Sequence, residues 1–456
     1  MVKNKKVTVV GIGESGKAAA LLLKKKGACV YATDSGSSSK LRKDAEELRR
    51  AGVFVEIGQH TKEFIDGSEL VIISPGVPEA STAMVMANEA CIPVVSEIEL
   101  ASWYCKAPVI GITGTNGKST VVTLVGLMLA ADKKDVVVCG NIGEAFCGKI
   151  EDITNETIVV LELSSFQLSR IRHFKPNVAC VTNISQNHLD VHSSFNSYFE
   201  AKKKIFANLS EDDFLILNYD DVNIKALARD SISRIRLFSC NEKVSGAYLD
   251  KGKMFFNDGE KDELLCELAQ ISLKGDHNIM NILAACLCAS AVGCSCEAMR
   301  EVIASFSGLS HRCEELGIVQ GVSFVDDSKS TTVDSTKAAL SSCDSAVVLI
   351  AGGRDKGSNF DLIRSMIKEK VKAVVLIGEA ADKIKGSFSD ITAIYEAKNM
   401  EDAVNISFEV AGEGDIVLLS PMCASFDMFS SYGERGDCFK REVIRLKKEV
   451  CSTGKQ

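Results

Sequence analysis

The chain has 456 residues, 46% hydrophobic and 25% charged, with a formal net charge of -8. Such a length suggests roughly three domains, the composition is that of an ordinary globular protein, and the acidic balance speaks against a nucleic-acid or anionic-membrane partner while leaving room for local basic pockets. No apolar run reaches the roughly 18 residues of a membrane span, and the 17 cysteines are scattered without a Cys-x-x-Cys pair, so they read as reduced small hydrophobes of a cytoplasmic protein.

The N-terminus, Met1-Val-Lys-Asn-Lys-Lys, leads straight into a strand over 7–12 and is read as no signal peptide. The turn Gly11-Ile-Gly13-Glu14-Ser15-Gly16 then opens a helix over 17–26, and a second strand, 28–33, ends at Asp34. This is a dinucleotide-binding fingerprint with its acid roughly 20 residues on. It admits NAD or FAD, a bare tight turn of a doubly wound sheet, or a nucleotide diphosphate that is only a handle on the substrate. Strands over 53–57, 70–74 and 93–95 continue the pattern, and Ser74-Pro75-Gly76 lies at the usual ligand edge. A boundary is expected near 104–108.

The stretch Pro108-Val-Ile-Gly-Ile-Thr113-Gly114-Thr115-Asn116-Gly117-Lys118-Ser119-Thr120 reads as a buried strand, a glycine turn and an apolar helix. Backbone N–H groups at such a helix start favour phosphate, the lysine adds a point charge and the serine hydroxyl suits Mg2+. Ile112 stands where the strict phosphate-loop spacing has its first glycine. Strands over 136–139, 158–163 and 178–184 follow; Glu162 interrupts an apolar run, which is costly unless the carboxylate is paired or holds a metal. His188 lies just past the third of these. A helix over 195–206 carries Lys202-Lys203-Lys204, which spacing alone reads as a solvated basic face. Strands over 214–217 and 237–239 and a hairpin over 247–256 lead to a helix opened by Gly275-Asp-His277-Asn278, with Asn281 one turn on from Asn278.

A linker is expected over 306–312. A third α/β unit follows, with strands over 323–326, 346–350, 373–377 and 416–419 and a closing helix over 438–450. Two strand ends are rich in polar groups: Asp326-Asp327-Ser328-Lys329-Ser330-Thr331-Thr332, and Ser420-Pro-Met-Cys-Ala-Ser425-Phe426. Alternating strand and helix throughout means α/β architecture with largely parallel sheets. Ser119, Glu162 and His188 form a mixed Mg2+ shell, and three nucleotide-type edges suggest that ATP, a nucleotide-linked acid and an acidic amine meet for ligation through an acyl phosphate.

At these residues the chain resembles the Mur ligase family of peptidoglycan synthesis. The matching stretches are Thr113 to Thr120, Gly140-Asn141-Ile-Gly143, Leu161-Glu162-Leu-Ser164-Ser-Phe-Gln167-Leu168, Thr182-Asn-Ile184 with His188-Leu-Asp190, and Gly275 to Asn281. The Asp326 to Thr332 and Leu419 to Asp427 stretches resemble the D-glutamate-adding branch; other branches tend to carry an Asp-Tyr-x-His type motif. The resemblance implies three domains: 1–105, Rossmann-like, for a UDP substrate; 106–310, a central phosphate-loop sheet for ATP; and 311–456, Rossmann-like, for the incoming amino acid and part of ATP. It implies a cytoplasmic, monomeric, ATP- and Mg2+-dependent ligase acting on UDP-N-acetylmuramoyl-L-alanine and D-glutamate.

Residue by residue, the resemblance places Gly114, Thr115, Asn116, Gly117, Lys118, Ser119, Thr120, Asn278, Asn281, Arg312 and Asp327 around ATP. It makes Lys118, His188 and Lys202 catalytic, with Ser119, Glu162, His188 and a carbamylated Lys202 around the metal. Gly13, Glu14, Ser15, Gly16, Asp34, Ser35, Ser74, Gly76, Asn141, Ser164 and Gln167 would face the UDP substrate, and Lys329, Thr331, Lys356, Ser425 and Phe426 the D-glutamate. Gly36 stands where the family often has a basic residue near the uracil, Phe426 replaces an aliphatic neighbour, and Tyr432 sits where Phe is usual. The rival readings are an NAD-dependent oxidoreductase, another Mur-type or folylpolyglutamate-type ligase, and a non-enzymatic nucleotide-binding module.

Overall fold

Three sheets organise the chain in a computed structural model that describes all residues except 1, 186–193, 226, 228, 230, 258, 260, 272, 274, 356 and 454–456. The first comprises β1 (Lys6–Val10), β2 (Cys29–Asp34), β3 (Phe54–Ile57), β4 (Leu70–Ile73) and β5 (Val94–Ser96), all parallel in the order β3-β2-β1-β4-β5. The second contains β6 (Val109–Thr113), β7 (Val136–Gly140), β8 (Ile158–Glu162), β9 (Val178–Val181), β10 (Phe214–Asn218), β11 (Arg234–Ser239), β12 (Gly246–Asp250), β13 (Lys253–Asn257) and β14 (Asp262–Glu267). Its order is β14-β13-β12-β11-β10-β9-β6-β8-β7, parallel except for the β12-β13-β14 meander. Strands β6, β8 and β9 are buried at every position, as strands covered on both faces must be.

The chain divides into two compact units, Met1–Ser307 and Gly308–Gln456. The first holds the first two sheets, and one apolar core runs from Val7 and Ile72 through Ile98 and Leu100 to Phe146, Leu161 and Leu217. The second holds β15 (Glu314–Val319), β16 (Val322–Asp326), β17 (Val347–Gly352), β18 (Val371–Ile377), β19 (Ala393–Glu396) and β20 (Ile416–Met422), in the order β15-β16-β20-β17-β18-β19 with β15 antiparallel. Apolar clusters cover its two faces. Among the described residues no helix is long and apolar enough to cross a membrane, and no cysteine is in a disulfide.

Two buried acids anchor the helix Glu97–Ser102, which joins the first two sheets. Glu99 accepts from the Trp103 indole and from the backbone N–H groups of Arg172, His173 and Phe174, all between 2.8 and 3.0 Å. Glu97 accepts from the Cys147 N–H, but its Oε2 has no hydrogen-bond partner among the described residues. Burial therefore pushes the Glu97 carboxyl up to about 7. The folded state holds this proton more tightly than the unfolded chain, so the stability linked to it is complete below the ordinary value of 4.5 and is lost as pH rises through 7. The displacement corresponds to roughly 3 kcal/mol. In denaturant unfolding from pH 4.5 to 8, Glu97→Gln should match the parent at the acid end and exceed it by up to roughly 3 kcal/mol at pH 8.

Candidate active site

The strand β6 ends at Thr113 and the helix Lys118–Ala131 begins five residues later, with Gly117 at φ +81° as its cap. A side chain cannot replace either loop glycine without displacement. A Cβ at Gly114, φ +153°, would lie 1.9 Å from Thr182 Oγ1, and one at Gly117 would lie 2.1 Å from Asn281 Oδ1. The loop is thus pinned between the end of β9 and the helix Asp276–Ser290. Thr115 N–H donates to the Asn183 carbonyl at 2.8 Å and Asn116 N–H to Asn183 Oδ1 at 2.9 Å.

Two ammonium groups meet on this loop. Lys118 Nζ donates to the carbonyls of Gly114 and Thr115 at 3.0 and 2.8 Å, and Lys202 Nζ donates to the same Gly114 carbonyl at 2.7 Å. The expectation that residues 202–204 form a solvated basic face therefore fails at Lys202, which is 2% exposed. The helix Phe195–Lys203 turns Lys202 inward, where its ammonium lies 4.7 Å from the Tyr198 ring centre. Burial, with the Lys118 charge adding to it, holds the Lys202 ammonium well below the usual lysine range; Glu162 opposes the shift.

The Glu162 carboxylate at the end of β8 is buried, and both oxygens are engaged: Ser119 Oγ donates to Oε2 at 2.6 Å and Asn141 Nδ2 to Oε1 at 2.8 Å. Parallel pairing of Ile112 with Glu162 and of Gly140 with Glu162 brings β6, β8 and β7 to one edge. Ser164 and Gln167 form a capping box on the helix Ser165–Ser169, so their polar atoms hold that helix end.

A cleft of about 510 Å3 opens at the carboxyl edge of the first sheet, lined by Gly13, Glu14, Ser15, Asp34, Ser35, Ser74 and Gly76 among others. Gly16 lies beneath it, where a Cβ would meet the Gly11 carbonyl oxygen at 1.8 Å. Asp34 braces the turn, accepting the N–H of Ile12 at 2.7 Å and of Gly36 at 2.8 Å.

In the second unit, β16 and β20 are parallel neighbours with Asp326 opposite Leu419, so the two polar strand ends lie side by side. The buried Arg435 ties them, donating to Ser328 Oγ and O and to the Cys423 carbonyl between 2.8 and 3.1 Å. Burial lowers its guanidinium to about 10. Asp326 accepts from His311 Nδ1 at 2.7 Å, and burial pushes Asp327 up to about 6 although Ser420 Oγ donates to it. Lys329 Nζ stands 3.9 Å over the Tyr432 ring, Thr331 and Ser425 flank these loops, and Phe426 is exposed.

Three family models match the chain: Mur ligase MurD-like, N-terminal domain, over residues 5–96; Mur ligase middle domain, over 112–289; and Mur ligase, glutamate ligase domain, over 311–423. A UDP-N-acetylmuramoylalanine–D-glutamate ligase of Acidobacterium capsulatum is 40% identical over 446 residues, 97% of each chain. The chain belongs to the Mur ligase family. A ligase of the same description from Streptococcus thermophilus is 40% identical over 98% of each chain. Solved Mur ligases share the fold at lower identity. Thermotoga maritima UDP-N-acetylmuramate-alanine ligase MurC gives a TM-score of 0.59 at 19% identity, covering 98% of this chain and all of that one. The ADP complex of MurF ligase from the same organism gives 0.56 at 16%, covering 91% and 95%.

In this Mur ligase Gly114, Thr115, Asn116, Gly117, Lys118, Ser119 and Thr120 form one loop and helix start, with Glu162, Lys202 and Asn281 against it. Asn278 sits one turn before Asn281, half-buried. Arg312 and Asp327 belong to the second unit. His188 and Lys356 lie outside the described residues. Sequence reading missed Asn183, Tyr198, His311 and Arg435. Tyr198 and Arg435 sit inside helices with no spacing that marks them, whereas His311 adjoined the flagged Arg312. Gly117→Ala should cost about 1–3 kcal/mol of stability in denaturant unfolding from its left-handed backbone. By displacing Asn281 it should also weaken ATP binding at least ~10-fold in calorimetry.

Proposed function

We propose that this ligase joins the L-alanyl carboxylate of UDP-N-acetylmuramoyl-L-alanine to the amine of D-glutamate, using ATP and an acyl-phosphate intermediate, as a monomer in the cytoplasm. Residues 1–105, 106–310 and 311–456 act as its UDP-substrate, ATPase and amino-acid domains. The single observation behind the ATPase reading is the pair of lysines on the Gly114 carbonyl beside the buried Ser119–Glu162 pair. The Lys118 cation and the backbone N–H groups at the helix N-terminus call for a polyanion.

The donor set fits Mg2+: a hydroxyl and a carboxylate, both hard oxygen ligands, lie 2.6 Å apart in a buried position. Bound there, the ion would neutralise charge on the transferring phosphoryl group. Asn141 holds the Glu162 carboxylate in place through its other oxygen. Lys202 is no metal ligand as an ammonium. Its burial favours the neutral amine, the form that adds CO2 to become a carbamate, and so fits the family's modified lysine. Lys118 carries the charge for the β and γ phosphates, and Asn278, Asn281, Arg312 and Asp327 are assigned to the nucleotide.

Gly13, Glu14, Ser15, Gly16, Asp34, Ser35, Ser74 and Gly76 are assigned to the uridine diphosphate. Within that set Asp34 and Gly16 act by shaping the turn. Ser164 and Gln167 shape their helix end in the same way, which leaves Asn141 as the polar group nearest the metal shell on the substrate side. An NAD-dependent oxidoreductase is disfavoured because it leaves the phosphate loop and the buried Ser119–Glu162 pair without a role. D-Glutamate needs cations and hydroxyls for two carboxylates, which Lys329, Thr331, Lys356 and Ser425 supply.

Phosphate release with UDP-N-acetylmuramoyl-L-alanine should require a D-amino acid of the glutamate type; equal rates with L-glutamate, or none with D-glutamate, would remove this assignment. Lys329→Ala should raise the KM for D-glutamate roughly 10- to 100-fold, the worth of a charge-assisted hydrogen bond, and leave the KM for ATP nearly unchanged.

A further inference from the structure

The first cleft has an order along its edge. The turn after β1 opens the helix Glu14–Lys25, the place proposed above for the diphosphate. β2 lies beside β1 and ends in Asp34 and Ser35, and β3 lies beyond β2. A nucleotide whose diphosphate rests on the turn therefore runs its ribose past β2 and its base toward the loop after β3. Gly36 offers that base no side chain. One residue of the β3 loop, His60, does line the cleft.

The His60 ring is fixed by a half-buried network. Its Nδ1 lies 2.8 Å from Thr33 Oγ1, and Thr33 is fully buried. The threonine hydroxyl has one proton and stands 2.7 Å from Glu56 Oε1. The Glu56 carboxylate is itself oriented by the Thr61 N–H at 2.9 Å and the Thr61 hydroxyl at 2.8 Å. The charged acceptor takes the Thr33 proton. Thr33 Oγ1 is then left to accept, so Nδ1 must donate to it, and the neutral ring carries its lone pair on Nε2.

We propose that His60 reads the base of the bound nucleotide, with Nε2 accepting the imide N3–H of uracil, and so selects uridine over cytidine, whose N3 bears no hydrogen. The proposal rests on the assignment of this cleft to the uridine diphosphate and deepens it. Thr33 and Glu56 are then positioning residues, because they set which ring nitrogen holds the proton.

The test is calorimetric binding of UDP and CDP to the full-length protein and to His60→Ala and His60→Gln. The parent should favour UDP by about 10-fold, His60→Ala should lose about 10-fold for UDP and hardly any for CDP, and His60→Gln, which keeps an acceptor, should recover part of the preference. Nitrogen-15 spectra of the parent should find the His60 proton on Nδ1, and Thr33→Val should shift that tautomer balance. Equal losses for both nucleotides, no loss for either, or a proton on Nε2 would overturn the role of His60 while UDP binding by the parent left the cleft assignment standing. Failure of the parent to bind UDP would overturn both.

Discussion

Two ammonium groups share one carbonyl oxygen, and much of the first unit is arranged so that they can. Lys118 comes from the helix that the phosphate loop opens, and Lys202 from a helix 84 positions later in the chain; both reach the Gly114 oxygen. Like charges this close repel strongly away from water, and the arrangement is tolerable because Lys202 is pushed toward its neutral form and because Glu162 lies near. The helix Phe195–Lys203 must bury a lysine, β9 must press on Gly114, and the helix Asp276–Ser290 must press on Gly117. Burying Lys202 beside Lys118 is the electrostatic cost of this arrangement; the two close approaches at Gly114 and Gly117 are steric and hold the loop in place.

The second unit meets a similar problem with the sign of the partners reversed. Asp326 and Asp327 are buried side by side at a strand end. His311 takes one, Ser420 donates to the other, and Arg435 bonds the backbone and hydroxyl of the next residue and not the acids themselves. A buried arginine satisfied by neutral acceptors keeps its charge available to the field around it. The loops that carry Lys329, Thr331 and Ser425 are thus fixed by a cross-link that touches none of those three side chains.

Much of this was legible from residue order. Buried parallel strands announce themselves as continuous apolar runs, and β6, β8 and β9 do so. The strands missed are β14, β15 and β19, whose exposed or half-exposed positions leave no run and no clean alternation. The fingerprint helix starts at Glu14, not Lys17, because Gly16 is already helical while Gly13 is its extended cap. The closing helix starts at Tyr432, not near 438, although Gly433 and Gly436 discourage it. Gly436 is there for a tertiary reason, since a Cβ would fall 2.1 Å from His311 Nδ1. Lys202 was misplaced on a solvated face for a related reason: three identical neighbours give no local sign of which one points inward.

The family motifs also mix two kinds of residue that a pattern cannot separate. Lys118 and Lys202 share the Gly114 carbonyl, and Ser119 donates to Glu162 at the same loop. Ser164, Gln167 and Asp34 bond backbone groups, and Gly16 lets the helix approach the Gly11 carbonyl. The difference is visible in hydrogen-bond partners. Asp34 holds one backbone N–H of the turn after β1 and one of the loop after β2, so it braces both, and another side chain of the same edge is free to read the base. In the first sheet that edge continues to β3, where a buried threonine and a half-buried glutamate fix the state of a histidine that no motif contains. Specificity can therefore move along a sheet edge while the phosphate turn stays where it is.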